Sequence, residues 1–295
     1  MRLATSHAHG RTLKMTVRRV HGMEAVTVIR SSPRRFASAL MDFWDHRHLV
    51  YVLVWRDLRA RYKQTLLGAL WAVLQPLVTT AVFTLVFKRL AKVPSEGVSY
   101  PVFVLCGLIP WQFFAQGVAR SGNSLVYERY LLTRVYVPRL IVPVSAVLSG
   151  LPDFGVAFGA LLGIMLFYGV VPGLSILMAI PFLALAVGAA LGVGLLLSPL
   201  NARFRDVSYV VPFFLQVWFF LTPIVYPSSL VPGTWKSICF INPIAGIVEG
   251  FRWALTGSTP IGAHLIIASV TSVCLSLAFA LRYFHWMEQT VADVV

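Results

Sequence analysis

The sequence predicts an all-α polytopic membrane protein. Six transmembrane helices follow an N-terminal amphipathic interface helix, and re-entrant helices lie on the outer side between spans five and six. Three observations predict this. Of the 295 residues, 58% are hydrophobic and 12% charged, about half the charged share of a soluble domain, and the mean hydropathy is +0.76. Uncharged runs long enough to cross a bilayer recur along the chain. The basic residues gather in the segments that six crossings place on one side. Such a composition lacks the polar surface to cover a soluble core, and it is too apolar for a disordered chain.

Residues 1–35 read as a basic cytoplasmic tail. Thirteen of the 25 Lys and Arg lie in residues 1–65, and the first thirty residues hold no apolar run of signal-peptide type. From residue 36 to 65, Phe36, Leu40, Phe43, Trp44, Val50, Leu53, Val54 and Leu58 alternate with Arg47, Arg56, Asp57, Arg59 and Arg61. Apolar side chains at steps of three and four suggest a helix lying in the membrane interface; packing on a protein partner is the alternative. The six-span domain then covers 66–284. The first uncharged run, 66–87, is long enough for a hydrocarbon core of about 30 Å. The second span is placed at 98–119 and the third at 145–170, interrupted by Asp153. No charge occurs from Phe154 to Ala202. One helix of that length would measure about 73 Å, so the chain must turn back, and Val171-Pro172-Gly173 is the obvious place. The fourth span follows at 175–198, the fifth at 207–226 and the sixth at 261–282, before a short cytoplasmic C-terminus, 285–295. Between spans five and six, residues 227–260 stay apolar but are broken at Pro232-Gly233, Asn242-Pro243 and Gly246. The pieces are too short to cross and read as re-entrant or interfacial half-helices. Two further crossings are the alternative, but Lys236, Glu249 and Arg252 interrupt them.

Six crossings put both termini on one side. Twenty of the 25 basic residues fall on that side and five on the other, so the first side is cytoplasmic. The net charge of +14 is then a topology signal with attraction to anionic lipid, and no nucleic-acid partner is needed to explain it.

Several chemistries are excluded. The chain contains no GxxxxGK[ST] loop, so it makes no nucleotide cradle of its own. It has no HExxH and no CxxC; Cys106, Cys239 and Cys274 stand apart in apolar sequence, and the seven His are scattered. No metal site and no catalytic residue is expected. Asp153 is the acid inside a membrane run, and such acids are costly and usually functional. It lies near mid-membrane if span three begins at Leu140. It lies at the inner edge, pairing with an Arg, if Pro138, Pro143 and Pro152 break off an approach helix; the edge placement is favoured. The segment Glu128–Arg139 is short and amphipathic with mixed charge. It reads either as a connector resting on headgroups or as a docking knob for a soluble partner.

Several motifs coincide with one family. Arg56-Asp57-Leu58-Arg59-Ala60-Arg61-Tyr62-Lys63, then Leu67-Gly68-Ala69-Leu70-Trp71 and Leu74-Gln75-Pro76-Leu77, resemble the first-span signature of ABC-2-type permeases that export polysaccharides. Tyr100-Pro101-Val102 with Cys106-Gly107-Leu108-Ile109-Pro110-Trp111 is similar to the second-span signature. Arg203-Phe204-Arg205-Asp206-Val207 resembles the loop after span four, and Thr222-Pro223-Ile224-Val225-Tyr226 with Asn242-Pro243 resembles the external segment. The likeness covers about residues 50–285.

The resemblance implies the transmembrane subunit of an exporter for a lipid-linked glycan of O-antigen, capsule or teichoic-acid type, in a bacterial inner membrane. It implies two copies forming a channel above two separate ABC ATPase subunits. No cofactor is then expected in this chain, with ATP and Mg on the partner. It points to Glu128, Arg129, Tyr130, Leu131 and Arg134 as the ATPase-coupling helix. It also points to Arg56, Arg59, Arg61 and Lys63 as the place where a lipid pyrophosphate enters, because guanidinium groups pair bidentately with phosphate oxygens. Sugar faces stack on aromatic rings, which makes Trp71, Trp111, Phe114 and Trp218 candidates for lining the channel. Trp111 and Phe114, three apart on one helical face, are foremost. An exporter of drugs or plain lipids would share the architecture with fewer aromatics in the spans. A membrane glycosyl- or phosphotransferase would need clustered acids or His, and the acids here stand singly.

Asp153→Asn is expected to reduce folding or assembly more than it alters any proton dependence of transport. A strong loss of pH dependence with intact assembly would overturn that expectation.

Overall fold

The computed structural model describes residues 15–20, 23–28, 36–63, 68, 70–95, 97–257 and 262–291. Most of the predicted basic tail, the head of the first span at 64–67 and the last residues 292–295 lie outside the described residues. The chain divides into two units, 1–39 and 40–295. In the first, β1 (Met15–Val20) and β2 (Met23–Val28) pair antiparallel, with Met15 opposite Val28 and Val20 opposite Met23. Val and Thr recur through both segments and favour extended backbone, so the tail holds a hairpin where the sequence suggested solvated chain.

The second unit is helical. Residues 36–63 form α1 (Phe36–Asp45), whose first four residues belong to the first unit, and α2 (Arg47–Lys63), separated at His46. Then come α3 (Leu70–Phe83), prolonged by a π-helical stretch over Thr84–Leu90, α4 (Tyr100–Tyr127) and α5 (Arg129–Arg134). The next helices are α6 (Ile141–Leu148) and α7 (Leu151–Phe167), with a break at Ser149-Gly150 ahead of Pro152. The chain turns over residues 168–173 and passes through a 3₁₀ segment, Leu174–Met178, into α8 (Ala179–Arg203). Four more helices complete it: α9 (Val207–Leu221), α10 (Gly233–Ile241), α11 (Pro243–Thr256) and α12 (Ala263–Val291).

Among the described residues, five helical stretches are long and apolar enough to cross a membrane: Leu70–Leu90, Tyr100–Tyr127, Ile141–Phe167, Leu174–Arg203 and Ala263–Met287. The apolar α9 is shorter, 15 residues, or about 22 Å of helix. The architecture is that of an all-α polytopic membrane protein.

At its centre stands α4, in which every residue from Val102 to Trp111 is buried. It packs most extensively on α8 and also touches α3, α6, α7, α9 and α11. Lipid is as apolar as Leu, so helices in a membrane associate through close packing and polar contacts rather than hydrophobic expulsion. The α4–α8 seam uses both. Gly117 and Ser121 on α4 face Ala190 and Gly194 on α8. A Cβ on Gly194 would stand 2.5 Å from the Ser121 Oγ, and one on Gly117 would stand 3.1 Å from the Ala190 Cβ. One turn on, the Ser124 and Ser198 hydroxyls lie 3.3 Å apart. The Asn201 amide donates to the Gly122 carbonyl at 3.2 Å and to the Asn123 Oδ1 at 2.8 Å.

After α9 the chain runs non-helically through Thr222–Val225, all buried. Irregular backbone at this depth needs internal partners, and two side chains supply them. The Tyr100 hydroxyl donates to the Val225 carbonyl at 2.8 Å. Arg252 donates to the Ile224 carbonyl, to the Phe103 carbonyl at 3.4 Å and to the Glu249 carboxylate at 2.9 Å, with its guanidinium 3.7 Å over the Phe103 ring. Glu249 also accepts from the Ser228 N–H at 3.3 Å. Arg252 is 2% exposed, although in the charge count it stands among the residues facing the outer side. Its helix is bounded as its sequence directs. The Asn242 side chain caps the Ile244 N–H, Pro243 occupies the first turn, and Gly257 leaves in the left-handed region at φ +63°. With 9 and 14 residues, α10 and α11 are each shorter than the roughly 20 residues a crossing needs.

Arg252→Met should lower stability by about 3–5 kcal/mol, because it strands Glu249 and a buried carbonyl. The double variant with Glu249→Leu should recover part of the loss. Thermal denaturation in detergent reads both, and equal losses for single and double variants would contradict the pairing.

Candidate functional site

One group of polar side chains in the apolar bundle converges where the end of α2 meets α4 and the α6–α7 break. The break places Ser149 and Gly150 beside α2, and Asp153 falls in the first turn of α7, where the helix dipole favours an anion. Its carboxylate pairs with Arg61 and accepts from the Tyr62 hydroxyl, two consecutive residues at the end of α2. Arg120 of α4 stands 3.6 Å from the same carboxylate oxygen that Arg61 holds, Oδ2. Arg61 also reaches the Ser149 carbonyl at 3.5 Å and the Ser149 Oγ at 3.4 Å. Burial and the bond to Asp153 push the Tyr62 phenol up to about 12. Its donated bond is therefore fully present below the free phenol value of about 10 and is lost only as pH rises through the higher one. The phenol is a donor at every physiological pH.

These groups form the rim of a cavity of about 280 Å³. Its wall is made by Trp71 and Gln75 of α3, Gln112, Phe113, Gln116 and Arg120 of α4, and Asp153, Phe154 and Ala157 of α7. Gln112, Gln116 and Arg120 are spaced four apart, so they form one polar stripe along α4. Gln116 accepts from the Arg120 Nη2 at 2.5 Å, while the Arg120 Nη1 is buried without a hydrogen-bond partner. Amides, guanidiniums, a phenol and an indole face together suit hydroxyl-rich or anionic ligands.

A second cavity of about 240 Å³ lies alongside, between α2, α4 and α6, and shares Arg61, Arg120 and Ser149 with the first. At its edge Arg56 grips Glu128 with both terminal nitrogens, Nη1 to Oε2 at 3.0 Å, and contacts Asp57 at 2.9 Å. Burial alone would lower the Arg56 pKa, but the bonds to Glu128 and Asp57 outweigh it and the net direction is upward.

The sequence candidates are distributed as follows. Arg56 is engaged with Glu128, and Arg61 with Asp153. Arg59 is exposed, its guanidinium 5.2 Å over the Trp55 ring, and Lys63 is exposed at the end of α2. Glu128 sits at the α4–α5 joint. Arg129, Tyr130, Leu131 and Arg134 make up most of α5, with Arg134 stacked 4.0 Å over Tyr130. The tip bears three well-exposed tyrosines, Tyr127, Tyr130 and Tyr136. Trp71 is exposed on the cavity wall. Trp111 and Phe114 instead sit inside the protomer, 5% and 0% exposed, against Phe219 and Trp218 at ring separations of 5.7 and 5.1 Å. The same helical face that made them candidates is turned into the core, so within one copy they support packing. Trp218 is half-buried and donates to the Asn242 Oδ1 at 2.9 Å. The sequence reading missed Arg120 and Ser149, having ended the second span at residue 119. The Gln112-Gln116-Arg120 spacing was the available signal.

The model of the ABC-2 type transporter family matches residues 48–256. Among curated proteins, the chain is 29% identical to the O-antigen export system permease protein RfbA of Klebsiella pneumoniae, covering 84% of this chain and 95% of that protein. It is 28% identical to the protein of the same name from Myxococcus xanthus, over 72% of this chain and 81% of that one. It is 26% identical to the polysialic acid transport protein KpsM of Escherichia coli, over 79% and 91%.

Glu128→Arg should detach α2 from the α4–α5 joint at a cost below about 1 kcal/mol, since the pair is partly exposed. Combining it with Arg56→Glu should restore the loss. A double-mutant cycle by chemical denaturation measures the coupling, and additive effects would show that the two do not interact.

Proposed function

The chain belongs to the ABC-2 type transporter family, and from that premise we propose that it is the permease of an exporter that moves a lipid-linked polysaccharide across a bacterial inner membrane. The observation that carries this reading is the match over most of its length to permeases named for O-antigen and polysialic acid export. The cavity of Gln75, Gln112, Gln116, Arg61, Arg120 and Trp71 supports it. Amides hydrogen-bond sugar hydroxyls, guanidiniums pair with phosphate, and an indole face stacks on sugar C–H surfaces. A drug or simple lipid uses little of that polar lining.

In the proposed cycle the chain works as two copies above two ATPase subunits, with both termini in the cytoplasm. The exposed tyrosines and arginines of α5 form the docking tip for the ATPase. Nucleotide-driven motion of that subunit moves α5, and the Arg56–Glu128 bond passes the displacement to α2. The lipid pyrophosphate approaches at the end of α2, where Arg59 and Lys63 are exposed and Arg61 stands at the cavity rim. Trp71 and the half-buried Trp218 are the candidates for contact with the passing glycan. This chain hydrolyses no nucleotide itself; ATP and Mg act on the partner.

Expression with its ATPase in a strain lacking its own O-antigen permease should restore surface polysaccharide, measured by antibody labelling of intact cells. Permease without ATPase should give none. Tyr130→Ala combined with Arg134→Ala should leave insertion intact and reduce surface labelling by about tenfold or more, the loss expected from removing two interface anchors. Surface labelling without any ATPase would refute the proposal.

A further inference from the structure

Asp153 occupies a place built for an anion. Two guanidiniums, from Arg61 and Arg120, and the Tyr62 hydroxyl converge on one carboxylate at the rim of a cavity of about 280 Å³. Two cations face one anion, and the Arg120 Nη1 is buried with no acceptor. A guanidinium fork matches the tetrahedral oxygens of phosphate as well as it matches a carboxylate. The donors also come from separate helices, α2 and α4, whereas the carboxylate comes from α7.

We infer that Asp153 is a resident surrogate for a substrate phosphate. The incoming phosphate-class anion takes Arg61, Arg120 and Tyr62 as its partners, and the Asp153 side chain is displaced from them. The inference deepens the export reading by assigning its pyrophosphate a seat. Exchange is favoured on both sides. The incoming group carries more charge than the carboxylate and supplies an acceptor for the unused Arg120 nitrogen. The displaced carboxylate keeps the stabilising dipole of α7, because it lies in the first helical turn. In the absence of substrate the same carboxylate prevents two guanidiniums from facing each other unpaired, which would weaken the α2–α4–α7 junction.

The test uses the full-length chain in lipid nanodiscs and follows thermal unfolding with three probes: inorganic pyrophosphate, a polyprenyl pyrophosphate and the uncharged polyprenol. Asp153→Asn should unfold at a lower temperature than wild type. Pyrophosphate, free or lipid-borne, should recover most of that deficit, and it should bind the variant about tenfold more tightly than wild type because the competing carboxylate is gone. Arg120→Gln added to Asp153→Asn should abolish the recovery. Recovery by both pyrophosphates means the anion alone is read, and recovery by the polyprenyl form alone means the lipid headgroup is read; either upholds the inference. No recovery by either, equal recovery by polyprenol, recovery that survives Arg120→Gln, or weaker binding by Asp153→Asn overturns it. Surface polysaccharide from wild type, without recovery in the variant, sinks the surrogate and leaves the export reading in place. Recovery in the variant of a transporter that moves no polysaccharide does the reverse.

Discussion

Hydrocarbon offers no partner to a charge or a peptide group, and an unsatisfied one costs several kcal/mol. The placement of polar residues in this molecule follows from that constraint. Arg252 sits buried in the bundle, where the non-helical chain at Thr222–Val225 offers a carbonyl that a helix would have satisfied. Glu249 is there because Arg252 is. Tyr100 closes the same stretch from α4. At the α6–α7 break, freed backbone and a carboxylate are met by Arg61, Tyr62 and Arg120 in the same manner. The two polar nodes are repairs made where helices end inside protein.

The nodes differ in what they leave over. Around Arg252 the guanidinium is enclosed by Glu249, two carbonyls and the Phe103 ring, and each of its three nitrogens has an acceptor. Around Asp153 the Arg120 Nη1 is left without an acceptor, and the cluster opens on a cavity lined by three glutamines. Fully satisfied networks rigidify a fold, while an excess of oriented donors beside open space suits a ligand. The first node closes on itself, and the second borders open space.

Much of this was legible in the chain. Uncharged runs show where helices cross, because bilayer thickness sets a minimum length. Pro172-Gly173 marks a turn for the steric reasons that apply anywhere, and Asn242-Pro243 starts α11 as a cap and a first-turn proline. The site was harder to read. Periodicity tells which residues share a face but not what that face meets, so Trp111 and Phe114 suggested a channel wall and lie in the core. Arg252 was counted as a surface charge because its partners, the carbonyls of Phe103 and Ile224, are backbone groups and leave no trace in residue type. Arg120 falls just past the second uncharged run, and α4 continues eight residues beyond that run, to Tyr127. The Arg61–Asp153 pair spans ninety-two positions, a separation over which pattern alone carries no information.

The continuity of α4 has a mechanical consequence. Its 28 residues make a rod of about 42 Å. Glu128 lies at one end, held by Arg56, and Tyr100, held by Val225, at the other. Between Gly117 and Gly122 a close small-residue seam with α8 restrains its bending. A displacement at the Glu128 end of that rod would therefore arrive at Tyr100 as translation or tilt of one body.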